Sequence, residues 1–210
     1  MSNNAPFRPA DLDTASDGGS KFLGFVPVGI VDYDDRTDQF DWADLYLVVT
    51  LKIADSQYPN EMKILGSYDR EPNGNIKTCS LLKKVYRLFD VLGFKGGPDV
   101  QGNMVDENGK PIENIATFLN QNFLEGSPLE PETKYYAYVY KELGKKDPSK
   151  VYTTTYPRIT LNNEKGRAEL ESFIDFLKSK NLIKEAPAGM TNNQTTVANG
   201  ATVGGTRTSF

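Results

Sequence analysis

The sequence predicts a mainly β chain with flanking helices, an α+β fold in which five strands close a small barrel. Three observations lead there. Aromatic and β-branched residues crowd both sides of a polar segment containing Gly144 and Pro148 within Lys134–Ile159, the pattern of a long β-hairpin. Asp44–Ala54, DLYLVVTLKIA, alternates strictly, with Leu45, Leu47, Val49, Leu51 and Ile53 on the face that should meet the core. Between these regions, over Ile76–Phe94, the apolar spacing changes from that of a strand to that of a helix.

Taken in order, residues 1–20 are rich in Asn, Asp, Ser, Pro and Gly and read as a flexible arm, followed by one domain over residues 21–185. Phe22–Tyr33 is an apolar strand interrupted by Pro27 and Gly29, which predict a bulge or bend at a barrel corner. Asp32–Asp44 follows with six aspartates against Arg36. It lacks the glycine and terminal glutamate of a calcium loop and reads as a solvated acidic turn, with Phe40 and Trp42 packed in the core or the loop. Glu61–Tyr68 completes a three-stranded meander, and Asp69–Asn75 is turn chemistry. In the helix over Ile76–Phe94, Leu81, Leu82, Val85, Leu88, Phe89 and Leu92 form the buried stripe, opposite Lys83, Lys84, Arg87 and Asp90, and Gly93 supplies the stop. Lys95–Glu113 reads as a long loop or weak hairpin, and Asn114–Leu124 as a short helix. After the hairpin, Asn162 or Asn163 caps a helix over Glu164–Lys180 that buries Leu170, Phe173, Ile174 and Leu177. The tail, residues 186–210, is small and polar and should be disordered.

Composition narrows the chemistry. The chain has no histidine and one cysteine, Cys79, so an internal disulfide and a Cys/His zinc site are excluded by count. Without imidazole there is no Ser–His or Cys–His pair, and Cys79 has no base to activate it. Gly144–Lys150, GKKDPSK, lacks the spacing of a phosphate-binding P-loop, and Gly93, Gly96 and Gly97 follow a helix where a dinucleotide motif would follow a strand. The expectation is a protein that is not an enzyme and has no cofactor, no catalytic residue and no metal. With no apolar run long enough to span a membrane and no signal-peptide pattern at Met1, it should be soluble, in a reducing cytoplasm.

The hairpin is the best-equipped region. Its predicted arms are Tyr135–Glu142 and Val151–Ile159, joined by a polar loop over Leu143–Lys150. Alternation puts Tyr136, Tyr138 and Tyr140 on one face of the first arm and Tyr135, Ala137 and Val139 on the other; Tyr152, Thr154, Tyr156 and Arg158 align on the second arm. Lys134, Lys141, Lys145, Lys146, Lys150 and Arg158 against Glu142 and Asp147 give this segment a net charge of +4 within a chain of net −4. Ring faces for base stacking and cations for phosphates suit a single-stranded nucleic acid, with Lys83, Lys84 and Arg87 as candidates to extend the groove. Tyrosine is also a favoured strand residue, so sheet packing and ligand stacking both stand open for each ring.

Three strands, a helix, then a hairpin and a helix is the element order of an OB-fold barrel, whose binding face and long loops take single strands. With FVPVGIVDY at Phe25–Tyr33, DLYLVVTLKI at Asp44–Ile53, LLKKVYRLFDVLGF at Leu81–Phe94 and the hairpin, the chain resembles the OB-fold single-stranded-DNA-binding proteins of tailed bacteriophages. The resemblance implies a viral protein that coats unpaired DNA in replication or recombination, in the host cytoplasm, as a possible homo-oligomer in contact with phage replication proteins. One departure stands out. Such proteins end in an acidic tail with a terminal aromatic; this tail ends in Phe210 but has no acidic residue after Glu185 and carries Arg207, which argues against partner recruitment through it. The competing expectation is a virion structural or scaffold protein whose arms contact neighbouring subunits.

Overall fold

The computed structural model describes residues 22–53, 56, 59–124, 133–188 and 190. The arm over residues 1–20 and the tail beyond Met190 lie outside the described residues. Strand β1 (Gly24–Asp35) pairs through its first half, Gly24–Val28, with β6 (Tyr135–Leu143) and through its second half with β2 (Leu45–Ile53). The expected bulge is present, but the register shift lies between Ile30 and Asp32, just beyond Gly29. β2 continues antiparallel into β3 (Pro59–Gly66), and β7 (Val151–Leu161) returns antiparallel to β6. A parallel pairing of β3 with β7, at Met62 and Thr155, closes the barrel in the order β1-β2-β3-β7-β6. A closed five-stranded barrel with three α-helices is consistent with an OB-like fold.

The interior follows from the alternation. Leu45, Leu47, Val49, Leu51 and Ile53 of β2 meet Val28, Ile30, Met62, Ile64, Ala137, Val139 and Ile159, all buried. Helix α1 (Ser80–Leu92) lies between β3 and β6 in sequence and adds Leu81, Val85, Leu88 and Phe89 to this core. It is shorter than its apolar pattern because Cys79 caps it: Sγ accepts from the N–H of Leu82, and Gly93 ends the helix at φ 79°. Cys79 is thus a buried structural thiol. The long connection after α1 folds into a small hairpin of two-residue strands, β4 (Gly97–Pro98) with β5 (Met104–Val105). Helix α2 (Ile115–Asn122) is capped by Asn114 and tied to β1 by Asn120, whose side-chain amide accepts from the N–H of Tyr33 at 3.0 Å and donates to its carbonyl at 2.7 Å.

Helix α3 (Glu164–Ser179), capped by Asn163, packs on the outside of β6 and β7. Its start is seated at Gly166, which is buried, and a Cβ there would fall 2.1 Å from the carbonyl oxygen of Leu161. Gly166→Ala is therefore expected to destabilise by about 1–3 kcal/mol through backbone displacement, although alanine is intrinsically the better helix former by about 1 kcal/mol. A thermal melt of the variant measures this; an unchanged or raised midpoint means that α3 is not held against Leu161.

Candidate nucleic-acid interface

The hairpin forms as its alternation requires. Tyr135, Ala137 and Val139 face the barrel interior, and Tyr136, Tyr138 and Tyr140 face outward. Outward does not mean exposed. Helix α3 lies over this face, and its buried residues Leu170, Ile174 and Leu177, with Ile183, form a second core against Tyr138, with Phe25, Tyr136, Tyr140, Tyr156 and Phe173 at its edge. Tyr138 is buried, stacks at 5.7 Å on Tyr140, and donates its hydroxyl to Glu185. Tyr136 is half-buried and donates to Glu171 at 3.2 Å. Cations do meet these rings, but they come from α3: Arg167 over Tyr136 at 5.4 Å and Lys178 over Tyr138 at 4.7 Å. The expected stacking stripe Tyr136/Tyr138/Tyr140 is thus the floor of a helix-on-sheet core, because α3 needs an apolar surface and these rings are the one β6 offers.

Burial shows in their acidity. Desolvation raises the phenols of Tyr136, Tyr138, Tyr140 and Tyr156, and that of Tyr140 is pushed up to about 12, with the Glu142 carboxylate adding to the effect. A folded-state value above the unfolded one gives stability that is complete below the unfolded value, about 10, and is lost as pH rises towards the folded one. The urea midpoint should therefore fall between pH 10 and pH 12, and Tyr140→Phe should flatten that fall; a variant with the parental pH profile would contradict it.

Among the five hairpin tyrosines proposed for stacking, Tyr152 alone is open, at 51% exposure. It stands at the start of β7, opposite Glu142 and next to the loop. In that loop Asp147 accepts from the N–H and hydroxyl of Ser149, and the Gly144 N–H donates to the Lys150 carbonyl at 2.8 Å. Lys145, Lys146 and Lys150 project from it, all exposed, with Lys150 only loosely paired to Asp147 at 3.7 Å. Lys134 and Lys141, at the two ends of β6, are half-buried.

The structure brings the helix cations to the hairpin. Helix α1 lies against β7, and burial first, then the charge of Lys145, lower the Lys84 ammonium from its usual range. One turn on, Arg87 approaches Arg158, whose side chain is 11% exposed. Both guanidiniums sit on the ring of Phe173, at 5.1 Å for Arg87 and 4.2 Å for Arg158. Glu169 pairs with Arg158, while Arg87 has no carboxylate within ion-pair distance among the described residues. Lys83 points to solvent on the same helix. A line of cations, Lys145, Lys84, Arg87 and Arg158, thus follows the α1–β7 seam, assembled from segments far apart in sequence.

Another exposed aromatic, Trp42, is on the opposite side of the charge balance. Trp42, expected to pack, is 54% exposed in the loop between β1 and β2. Phe40 stacks on Tyr46 at 4.7 Å and lies 5.8 Å from Trp42, so the three rings form a short ladder. Around it the aspartates serve local structure. Asp35 accepts from Thr37, Asp34 pairs with Arg36 at 2.6 Å, and Asp44 accepts from the Tyr68 N–H and from Arg70. Asp38 and Asp41 remain exposed beside the rings, so the local field opposes phosphates. Among the described residues no group of three or more Cys, Asp and Glu is arranged to hold a metal ion, and no helix is long and apolar enough to cross a membrane.

No protein-family model, curated protein or solved structure matches this chain.

Proposed function

We propose that this protein binds single-stranded DNA with little sequence preference, as a non-enzymatic coating protein in viral DNA replication or recombination. The observation that carries the reading is the placement of Arg87 and Arg158 on one phenyl ring, with Lys84 on the same helix face and Lys145 near enough to act on it by charge, along the α1–β7 seam of an OB-like barrel. Folding brings like charges together at a cost that a polyanion relieves, and the arrangement is directional, as a strand requires. Tyr152 supplies the open ring beside the lysine loop, and Lys83, Lys146 and Lys150 flank the path. Tyr136 and Tyr138 are held in the packing under α3 and have no stacking role in this reading. Titration of a labelled oligo-dT at low salt, read by anisotropy, is the test. Absence of binding at 50 mM salt ends the proposal.

A second reading, a structural or scaffold protein that contacts copies of itself, has one observation in its favour. Phe176 and Leu182 are 54% and 65% exposed at the end of α3 and just beyond it. Sedimentation equilibrium without DNA distinguishes the two: assembly abolished by Phe176→Ser with no DNA binding favours the scaffold.

A further inference from the structure

Between α1 and the start of α3, over the last residues of β7, lies a cavity of about 290 Å³. Its walls are unlike the rest of the seam. Arg87, Arg158 and Lys165 bring three cations to it, Asp90 and Glu169 two carboxylates, and Val91 and Leu161 part of an apolar lining. The size is at the lower end for small-molecule sites, about 300–1,000 Å³, and exceeds what a bare oxyanion fills. The two guanidiniums are pre-positioned: each rests on the Phe173 ring, so less rotamer freedom remains to be lost on binding. Their charges are unevenly compensated, since Glu169 holds Arg158 and Arg87 is without an ion-pair partner among the described residues. Desolvation first, and then the nearby Arg87 charge, lower the guanidinium of Arg158, with Glu169 acting in the opposite direction.

We infer that this cavity binds a phosphate monoester, the phosphate held between Arg87 and Arg158 with Lys165 at the rim and its sugar against Val91 and Leu161. The net charge of +1 among the lining side chains suits one such group better than a run of phosphates. Glu169 is the competitor, because it occupies the guanidinium that the ligand must share. The inference rests on the strand reading only for the source of the ester, which is either a free nucleotide or the 5′-phosphorylated end of a strand.

The test uses the full chain and thymidine 5′-monophosphate, with binding read by calorimetry, together with oligo-dT carrying a 5′-phosphate or a 5′-hydroxyl. Arg87 and Glu169 are both exposed, so their variants should fold, which a thermal melt verifies. Arg87→Ala should weaken the monophosphate about 10- to 100-fold, the range for a lost charge-assisted pair, and Glu169→Gln should tighten it severalfold. Monophosphate binding with these responses assigns the site to free nucleotides. A preference for the 5′-phosphorylated oligonucleotide that disappears in Arg87→Ala assigns it to strand ends. No monophosphate binding even in Glu169→Gln, with equal affinity for the two oligonucleotides, overturns the inference. The strand reading fails separately, if neither oligonucleotide binds at low salt.

Discussion

Oligo-dT affinity is expected to fall about 100-fold between 50 and 200 mM salt, and to lose most of that dependence when Lys145, Lys146 and Lys150 become alanine. The estimate follows from counterion release. Each phosphate neutralised on a single strand adds about −0.7 to the slope of log affinity against log salt, so Lys84, Arg87, Lys145, Lys146 and Lys150 together give about −3.5. With the three loop lysines gone the slope becomes about −1.4, and the same change in salt costs only about sevenfold. The loop lysines are the right group to remove because all three are exposed and bury little on folding. Their loss should leave the melting temperature within a few degrees of the parent. A triple variant with the parental slope would show that the strand does not pass the hairpin loop, whatever the absolute affinity.

The second large effect separates the hairpin tyrosines by role. Tyr138→Ala is expected to cost about 3–5 kcal/mol of stability, since it empties the centre of the core under α3. For a chain of this size that is a fall of about 6–20 °C in melting temperature. Tyr138→Phe keeps the packing and gives up only the hydrogen bond to Glu185, about 1 kcal/mol. Tyr152→Ala should do the reverse. At 51% exposure it should change stability by less than about 0.5 kcal/mol, while removing about 1–3 kcal/mol of binding if a base stacks on it. Paired melts and titrations of the three variants decide this. Should Tyr152→Ala melt early and bind normally, the open ring is structural too and the stacking role is empty.

These expectations also show where the sequence was legible. Strand and helix positions emerged from period alone: the alternation of Leu45 to Ile53 recurs as the barrel core, and of the two asparagines offered as caps for α3, Asn163 is the one that caps it. The two faces of β6 were equally readable, because successive side chains on a strand must point to opposite sides. What covers each face is a different kind of fact. Tyr136, Tyr138 and Tyr140 form the same pattern whether solvent, DNA or a helix lies above them, and their chemistry suits all three. Nothing local to Lys134–Ile159 announces that α3 folds back over it.

Trp42 illustrates the opposite error. An isolated tryptophan in an acidic loop is on average better packed than exposed, yet here Phe40 takes the place on Tyr46 and leaves Trp42 outside. The sequence offered Lys83, Lys84 and Arg87 only as candidates to extend the groove of Lys145 to Arg158, with no means of placing the two sets on one line. Lys165 and Phe173 belonged to neither, although the spacing of Phe173 from Leu170 and Leu177 already placed it on the helix face turned towards the sheet.

The sequence by itself thus determined the five barrel strands, their alternation, the three helices to within a turn and the exclusion of histidine-based chemistry, since each depends on residues close in the chain or on composition. Only the tertiary structure decided which outward face of the hairpin is covered, and that Arg87 and Arg158 share one phenyl ring. Those outcomes depend on contacts between separated segments, 35 residues apart for Tyr136 and Glu171 and 71 for Arg87 and Arg158, and no local pattern encodes a distance across such spans.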